Sequence, residues 1–120
     1  GNLDSRIEWG YEPEYVGAMY LSMQHPTPDD YVVGTGESHS VRDFVELAFR
    51  EAGIEDWEKY VEIDPRYFRP TEVEHLVADC RKVKSVLRWE PKTKFEDLVK
   101  IMVKEELAAH GAGEGARRAA

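Results

Sequence analysis

The stretch Tyr31-Val32-Val33-Gly34-Thr35-Gly36, together with the apolar run that begins after Ser40, decides the fold class of this sequence. Three β-favouring residues closed by a glycine turn predict a short strand. Ser40, with Asp43 three residues later, has the pattern of a capping box and predicts a helix that Gly53 ends. The apolar residues of that helix fall at helical spacing: Val41, Phe44, Val45, Ala48 and Ala52. Strand, turn and helix in this order indicate an α/β protein.

Short strands and helices alternate along the rest of the chain. Further strands are predicted at Ile7–Trp9, Val61–Ile63 and Leu76–Ala78. Helices are predicted over about Pro13–Gln24, Arg81–Leu87 and Phe95–Leu107, with Ile54–Tyr60 a loop or single turn and Asp64–Val73 a loop. We expect one domain over residues 1–110, followed by a disordered Gly- and Ala-rich tail over 111–120.

Composition excludes several classes of protein. The chain has 120 residues, of which 42% are hydrophobic and 33% charged, and its net charge is −8. A strongly acidic chain lacks the basic face that nucleic acids require, so no nucleic-acid partner is expected. Its apolar runs are far shorter than the ~20 residues of a membrane span. One cysteine and the lack of a leader pattern favour a cytoplasmic location.

Candidate metal ligands and nucleophiles have no supporting spacing. The histidines are His25, His39, His75 and His110, and none of their spacings is typical of a zinc site, so no metal is predicted. Cys80 lacks a local nucleophile signature and is interpreted as a small structural residue. A Ser/His/Asp triad assembles in space rather than in sequence order, so that alternative stays open at this point.

The Gly34-Thr35-Gly36 turn only partly matches a dinucleotide-binding loop. The position of its third glycine is occupied by His39, and Glu37 would repel a phosphate. A strand-to-helix turn capped by Ser40 accounts for the same residues. We therefore expect no nucleotide-cofactor site in this chain. The three tryptophans, Trp9, Trp57 and Trp89, are interpreted as core or half-buried packing residues.

The segment Arg66-Tyr67-Phe68-Arg69-Pro70-Thr71-Glu72-Val73 concentrates groups that recognise nucleotides. An arginine offers a planar fork of donors that suits a diphosphate. A carboxylate accepts hydrogen bonds from ribose hydroxyls or from a guanine edge, and an aromatic face stacks on a base. The alternative is a surface loop in which Arg69 and Glu72 pair with each other. Chemistry alone leaves both interpretations open.

Several motifs together resemble the GDP-mannose 4,6-dehydratase family. They are Asn2-Leu3-Asp4-Ser5, Trp9-Gly10-Tyr11, Pro13-Glu14-Tyr15-Val16, Thr35-Gly36-Glu37 with His39-Ser40-Val41-Arg42, Asp64–Val73, and Leu87-Arg88-Trp89-Glu90-Pro91-Lys92. The resemblance runs in order over about residues 1–107, and the Arg66–Val73 string is its most specific part. It implies the C-terminal part of an extended short-chain dehydrogenase/reductase, an α/β fold with most of the Rossmann core missing.

The resemblance also implies an activity for the family. Hydride leaves C4 of GDP-mannose for NADP, water leaves across C5 and C6, and the hydride returns to C6, giving GDP-4-keto-6-deoxymannose. The family's cofactor loop and Tyr-x-x-x-Lys motif have no match here, so no catalytic residue is expected in this chain. Its expected partners are GDP-mannose and either the missing Rossmann half or a second copy. The alternatives are a non-catalytic binding or oligomerisation module, and a fragment of a related nucleotide-sugar epimerase or reductase.

The resemblance assigns the substrate site residue by residue. Arg69 matches the arginine that grips the diphosphate, and Glu72 matches the acid that contacts the nucleoside. The family has an arginine directly before the acid and tryptophan of its R-D-W-G motif, where this chain has Ile7. Arg6 lies one residue earlier and is the candidate replacement, although adjacent strand residues face opposite sides. Loss of one charged phosphate contact is expected to weaken binding by about 1.5–3 kcal/mol.

The resemblance also predicts an uncovered surface. The predicted helix Pro13–Gln24 and the predicted strand at Tyr31 would pack against a Rossmann domain in the family. We therefore expect the isolated chain to be marginally stable or to associate through this surface.

Overall fold

A computed structural model describes residues 1–69, 71 and 76–118, with side chains described as far as Gly111. In chain order the regular elements are β1 (Arg6–Glu8), α1 (Glu12–Gln24), β2 (Ser38–Ser40), α2 (Val41–Glu51), two 3₁₀ helices (Trp57–Lys59 and Pro65–Tyr67), α3 (Arg81–Leu87) and α4 (Phe95–Arg118). The class is α/β, as predicted. The division into a domain over 1–110 and a tail over 111–120 stays a prediction.

The sheet is small and lies near the amino terminus. β1 pairs antiparallel with β2, in the register Arg6↔Ser40, Ile7↔His39 and Glu8↔Ser38. Backbone hydrogen bonds extend the pairing past the strands, from Val41 N to Ser5 O at 3.1 Å. The sheet therefore fixes the first residues of the chain against the start of α2.

Three strand predictions are wrong. The segments Tyr31–Val33, Val61–Ile63 and Leu76–Ala78 are not strands, and the strand that precedes α2 is Ser38–Ser40 instead. A strand is completed by the hydrogen-bond ladder of a neighbour, and within the described residues only β1 and β2 provide one for each other. The three segments have strand-like sequences without a strand beside them.

All four predicted helices are present, although α4 runs to Arg118, beyond its predicted end at about Leu107. The Ser40 hydroxyl accepts from Asp43 N at 3.0 Å, and Asp43 Oδ2 accepts from Ser40 N at 2.8 Å, so the capping box forms. Gly53, two residues beyond α2, has φ +79°, a left-handed conformation that suits glycine after a helix. Arg81–Leu87 has the predicted bounds.

One part of the core joins α1 to α3. Its buried residues are Ala18, Val83, Leu87 and Trp89, with Tyr15, Tyr31, Val33 and Cys80 packed against them. Trp89 Nε1 donates to Glu14 O at 3.0 Å, and the Glu14 carboxylate accepts from Thr93 N at 3.1 Å. Glu14, near the start of α1, therefore also holds the connection between α3 and α4.

Helix α1 is apolar on more than its buried side. Ala18 is the residue of α1 that is fully buried, facing α3. Val16, Met19, Tyr20 and Met23 leave more than half of their surface exposed. A helix with apolar residues all round is typical of a buried position, so α1 presents an uncovered face. None of the helices, over the residues described, is long and apolar enough to cross a bilayer.

Candidate functional site

The loop predicted to bind a nucleotide begins with a short, well-capped turn. Asp64 caps the 3₁₀ helix Pro65–Tyr67 by accepting from Arg66 N at 2.9 Å, and Phe68 N donates to Pro65 O at 3.1 Å. The Arg66 guanidinium also donates to the Asp64 carboxylate at 2.6 Å, which lowers the pKa of Asp64. Arg66 is thereby engaged in shaping the loop.

Arg69 follows this turn and is exposed, as are Tyr67 and Phe68 before it. An exposed guanidinium with two exposed aromatic rings nearby in sequence is the chemistry that the sequence predicted for a nucleotide diphosphate. Glu72 lies outside the described residues. Its predicted contact with the nucleoside, and the alternative pairing with Arg69, stay predictions.

Arg6 is positioned by the sheet. Its Nη2 donates to Ser38 O at 2.7 Å, across the β1–β2 pair. Ile7, which the resemblance matches to an arginine of the family, is exposed and pairs with His39. Among the described residues no contact joins Arg6 to Arg69. The role of Arg6 at a phosphate stays a prediction.

The Gly34-Thr35-Gly36 turn receives a carboxylate from its own chain. Glu8 Oε2 accepts from Thr35 N at 2.8 Å, and Glu8 Oε1 accepts from Ala78 N. A Cβ on Gly34 would lie 2.4 Å from Glu8 Oε2 and 2.6 Å from the Ala78 Cβ. Glycine is therefore required here by packing. The Glu8 carboxylate occupies the Thr35 amide, where a dinucleotide phosphate would otherwise bind. Glu8, Thr35 and Ala78 instead form a joint that connects three separate segments of the chain.

Glu8 also sets the charge around this joint. Burial raises the pKa of the Cys80 thiol, and the nearby Glu8 carboxylate raises it further. The same two causes, in the same order, raise the pKa of Tyr15. Cys80 is the free thiol of the chain and stays protonated near neutral pH, which agrees with its interpretation as a structural residue.

An aromatic cluster packs around Trp9 and the β2 residue His39. Trp9 stacks on Phe44 with ring centroids 4.5 Å apart, and Trp9 Nε1 donates to His39 O at 3.1 Å. The His39 ring stacks on Phe95, and its Nε2 is buried without a hydrogen-bond partner. Trp9 is half-buried, and Trp57 and Trp89 are buried, so the tryptophans are packing residues.

A second concave surface lacks the polar groups of a sugar-nucleotide site. The groove between α2 and α4 is apolar apart from Glu106 and is lined by residues that include Phe44, Phe49, Met102 and Leu107. Within the described ranges no group of three His, Cys, Asp or Glu side chains is placed to hold a metal ion. The loop Pro65–Arg69 is the candidate site because the exposed Arg69 follows two exposed aromatic rings there.

Two sets of long-range contacts were missed by sequence reasoning. Glu8 contacts Thr35 and Ala78, which lie 27 and 70 residues away in the sequence, and no local pattern indicates them. Arg42 donates to Asp4 Oδ1 at 3.1 Å and lies over the Trp57 ring at 6.0 Å. No local pattern predicts that pair, because its members are far apart in sequence.

Comparison with known proteins identifies the family. The sequence model of the GDP-mannose 4,6 dehydratases matches residues 1–102. This chain belongs to the GDP-mannose 4,6 dehydratase family. It is 50% identical over 107 residues to GDP-mannose 4,6 dehydratase 1 of Arabidopsis thaliana, which covers 89% of this chain and 29% of the relative. To the Homo sapiens GDP-mannose 4,6 dehydratase it is 41% identical over 119 residues, covering 86% and 32%.

Solved structures place the chain within a larger fold. It superimposes on a UDP-glucose 4-epimerase of Thermotoga maritima, solved with UDP-glucose, with a TM-score of 0.75 and 25% identity over 91% of this chain and 34% of the epimerase. RMD of Pseudomonas aeruginosa, complexed with NADPH, gives a TM-score of 0.72 at 17% identity, covering 87% and 33%, and supports the fold alone. This member of the GDP-mannose 4,6 dehydratase family thus spans about a third of the chains it matches. Its described residues resemble the C-terminal part of short-chain dehydrogenase/reductase epimerases, without the Rossmann core.

Proposed function

We propose that this chain is the sugar-nucleotide-binding portion of a GDP-mannose 4,6-dehydratase and is not catalytic by itself. The observation that carries the proposal is the capped loop Pro65–Arg69, with its exposed Arg69, in a chain that matches the dehydratase family over residues 1–102. A planar guanidinium at the end of a rigid turn suits a nucleoside diphosphate. The substrate would be GDP-mannose.

The proposed roles divide between two parts of the chain. Arg69 grips the diphosphate and Glu72 accepts from the nucleoside. Arg6 is a weaker candidate for a second phosphate contact, because its guanidinium already donates to Ser38 O. Ile7 supplies no charge where the family has an arginine, so the affinity is expected to be lower than with that arginine present.

The proposed reaction is the family's internal redox dehydration, a lyase activity of a cytoplasmic enzyme. NADP, when bound, would supply the hydride-transfer chemistry of this reaction. The described turn Gly34-Thr35-Gly36 does not fit a dinucleotide, because Glu8 lies at the Thr35 amide. The cofactor would therefore be held by a Rossmann domain outside this chain. The part played by this chain's own residues is to bind and orient the sugar nucleotide.

The test is a calorimetric titration of the full chain with GDP-mannose. We expect saturable binding that Arg69→Ala weakens at least tenfold, the loss expected for a charge-assisted contact. Arg50→Ala, at the last turn of α2, is the matched control, and dTDP-glucose is the control ligand. Equal affinity of the wild type and Arg69→Ala for GDP-mannose would contradict the proposal.

A related activity is the second candidate, because the superposition on a UDP-glucose 4-epimerase covers 91% of this chain at 25% identity. A nucleotide-sugar epimerase fragment would prefer a uridine nucleotide. The same titration with UDP-glucose separates the two candidates. Tighter binding of UDP-glucose than of GDP-mannose would favour the epimerase.

A further inference from the structure

We infer that Glu8 is a positioning residue that fixes the far end of the sugar-nucleotide loop. The inference rests on the proposed function of that loop. Glu8 touches no described residue assigned to the ligand, so its effect on binding is exerted through Thr35 and Ala78, whose backbone amides it holds.

The two carboxylate oxygens of Glu8 have separate tasks. Oε2 accepts from the backbone N–H of Thr35 at 2.8 Å and lies 3.3 Å from the Thr35 hydroxyl. Oε1 accepts from the backbone N–H of Ala78. One side chain on β1 thereby holds two segments that are 27 and 70 residues away in the sequence. Such charge-assisted bonds are about twice as strong as neutral ones.

No described cationic side chain offsets the charge of the Glu8 carboxylate. None of the described lysines and arginines forms an ion pair with it, and its neighbours Tyr15 and Cys80 have raised pKa values. Gly34 approaches so closely that a single added Cβ would collide with both the carboxylate and Ala78. A part-buried carboxylate is costly unless hydrogen bonds satisfy it. Here the satisfying donors are the backbone amides that it positions.

Tyr67 and Ala78, described residues on either side of Arg69, both lie against the segment 1–8. At the near end of the loop a Cβ on Gly1 would lie 3.1 Å from Tyr67 O, so the amino-terminal residues run beside the 3₁₀ turn. At its far end Ala78 is held by Glu8. The segment 1–8 thus contacts described residues on both sides of Arg69. Release of one end enlarges the set of positions open to Arg69 and raises the entropy lost on binding.

The decisive variant is Glu8→Gln. Glutamine keeps the shape of the side chain but has one acceptor oxygen, and its NH₂ group would face a backbone N–H. One of the two contacts is therefore lost while the volume is conserved. Glu62→Gln removes the same charge at an exposed position and is the matched control. Glu8→Asp keeps both acceptor oxygens on a shorter side chain.

The first measurement is amide hydrogen exchange of the full chain. In Glu8→Gln we expect exchange at Ala78 or Thr35 to be faster by at least about tenfold, with faster exchange at Tyr67 and Phe68 as well. Glu8→Asp should fall between this variant and the wild type. Glu62→Gln should match the wild type, and amides in the middle of α4 should be unchanged in all three variants.

The second measurement is the affinity for GDP in the same variants. We expect Glu8→Gln to weaken binding several-fold, although Glu8 lies outside the ligand contacts. Unchanged exchange at Tyr67 and Phe68 overturns the inference, and so does equal acceleration throughout α4, which would show a merely structural role. If the wild type binds no GDP, the proposed function fails, while the exchange of Tyr67, Phe68 and Ala78 still decides whether Glu8 fixes the loop.

Discussion

The His39 ring lies face to face on the Phe95 ring, with centroids 3.9 Å apart and an angle of 4° between the planes. Phe95 is the first residue of α4, and His39 is the middle residue of β2. Trp9 and Phe44 complete the cluster, with centroids 6.3 Å from Phe95 in each case. The cluster therefore joins the sheet, α2 and α4 at one point.

Removal of Phe95 should be strongly destabilising. The side chain is 7% exposed, and Phe95→Ala would leave a cavity against His39 and Trp9. We expect a loss of about 3–5 kcal/mol in the free energy of unfolding, measured by urea denaturation. Phe68→Ala removes the same atoms from a side chain that is 60% exposed and should cost less than about 1 kcal/mol. Similar losses in both variants would contradict the assignment of the core.

Two glycine-to-alanine substitutions should have opposite effects. In Gly34→Ala the new Cβ collides with Glu8 and Ala78, and we expect a loss of about 1–3 kcal/mol of stability. In Gly17→Ala, inside α1, the nearest atom to the new Cβ is Trp89 Nε1 at 4.0 Å. The second variant should gain about 0.5–1 kcal/mol from helix propensity. Thermal unfolding of the two variants beside the wild type shows whether the signs differ.

Asp79 should titrate far below an ordinary aspartate. Its hydrogen bonds from the Arg81 side chain and backbone lower its pKa to about 2. Because the folded-state pKa is depressed, the stabilisation from this pair is present above the ordinary pKa of about 3.9 and is lost as the pH falls towards 2. Carboxyl chemical shifts followed by NMR should show the low pKa. Arg81→Gln should return it towards the ordinary value, whereas Arg50→Gln should not.

The outer face of α1 should make the chain associate. Met19 and Met23 are 64% and 80% exposed, and Val16 and Tyr20 extend the same apolar face. We expect sedimentation to show an average mass that rises with concentration. Met19→Lys with Met23→Lys should reduce this effect, while Ala109→Lys, on the exposed surface of α4, should leave it unchanged. A monomer at every concentration with a sharp melt would show that the face is tolerated uncovered.

The helices were predictable because their signals are local. The capping box at Ser40 and the spacing of apolar residues in α2 involve neighbours within one or two turns, so the sequence alone contains them. α3 was predicted with its correct bounds for the same reason.

The strands were less predictable because a strand is defined by its partner. Tyr31–Val33 has a better β-forming composition than Ser38–Ser40, yet the second pairs with β1 and the first pairs with nothing in the described chain. Pairing depends on which segment the fold brings alongside, and composition does not encode that.

In the candidate site, too, the local contacts were predictable from the sequence and the long-range contacts were not. The Asp64–Arg66 turn and the exposed Arg69 follow from the local Asp-Pro-Arg sequence and were predicted as a loop. The contacts from Glu8 to Thr35 and Ala78 join three separate segments, so only the folded chain reveals them.

The long-range contacts of the first fifteen residues also determine when folding can finish. Glu8 bonds to Ala78, and Glu14 bonds to Thr93, 79 residues further along. Chains dominated by contacts of large sequence separation fold slowly, because the loops must close before the contacts stabilise them. Within the described residues, β1 and α1 are synthesised before the residues that hold them, Ala78 and Thr93. Until Val83, Leu87 and Trp89 have been synthesised, Ala18 of α1 lacks the residues that bury it.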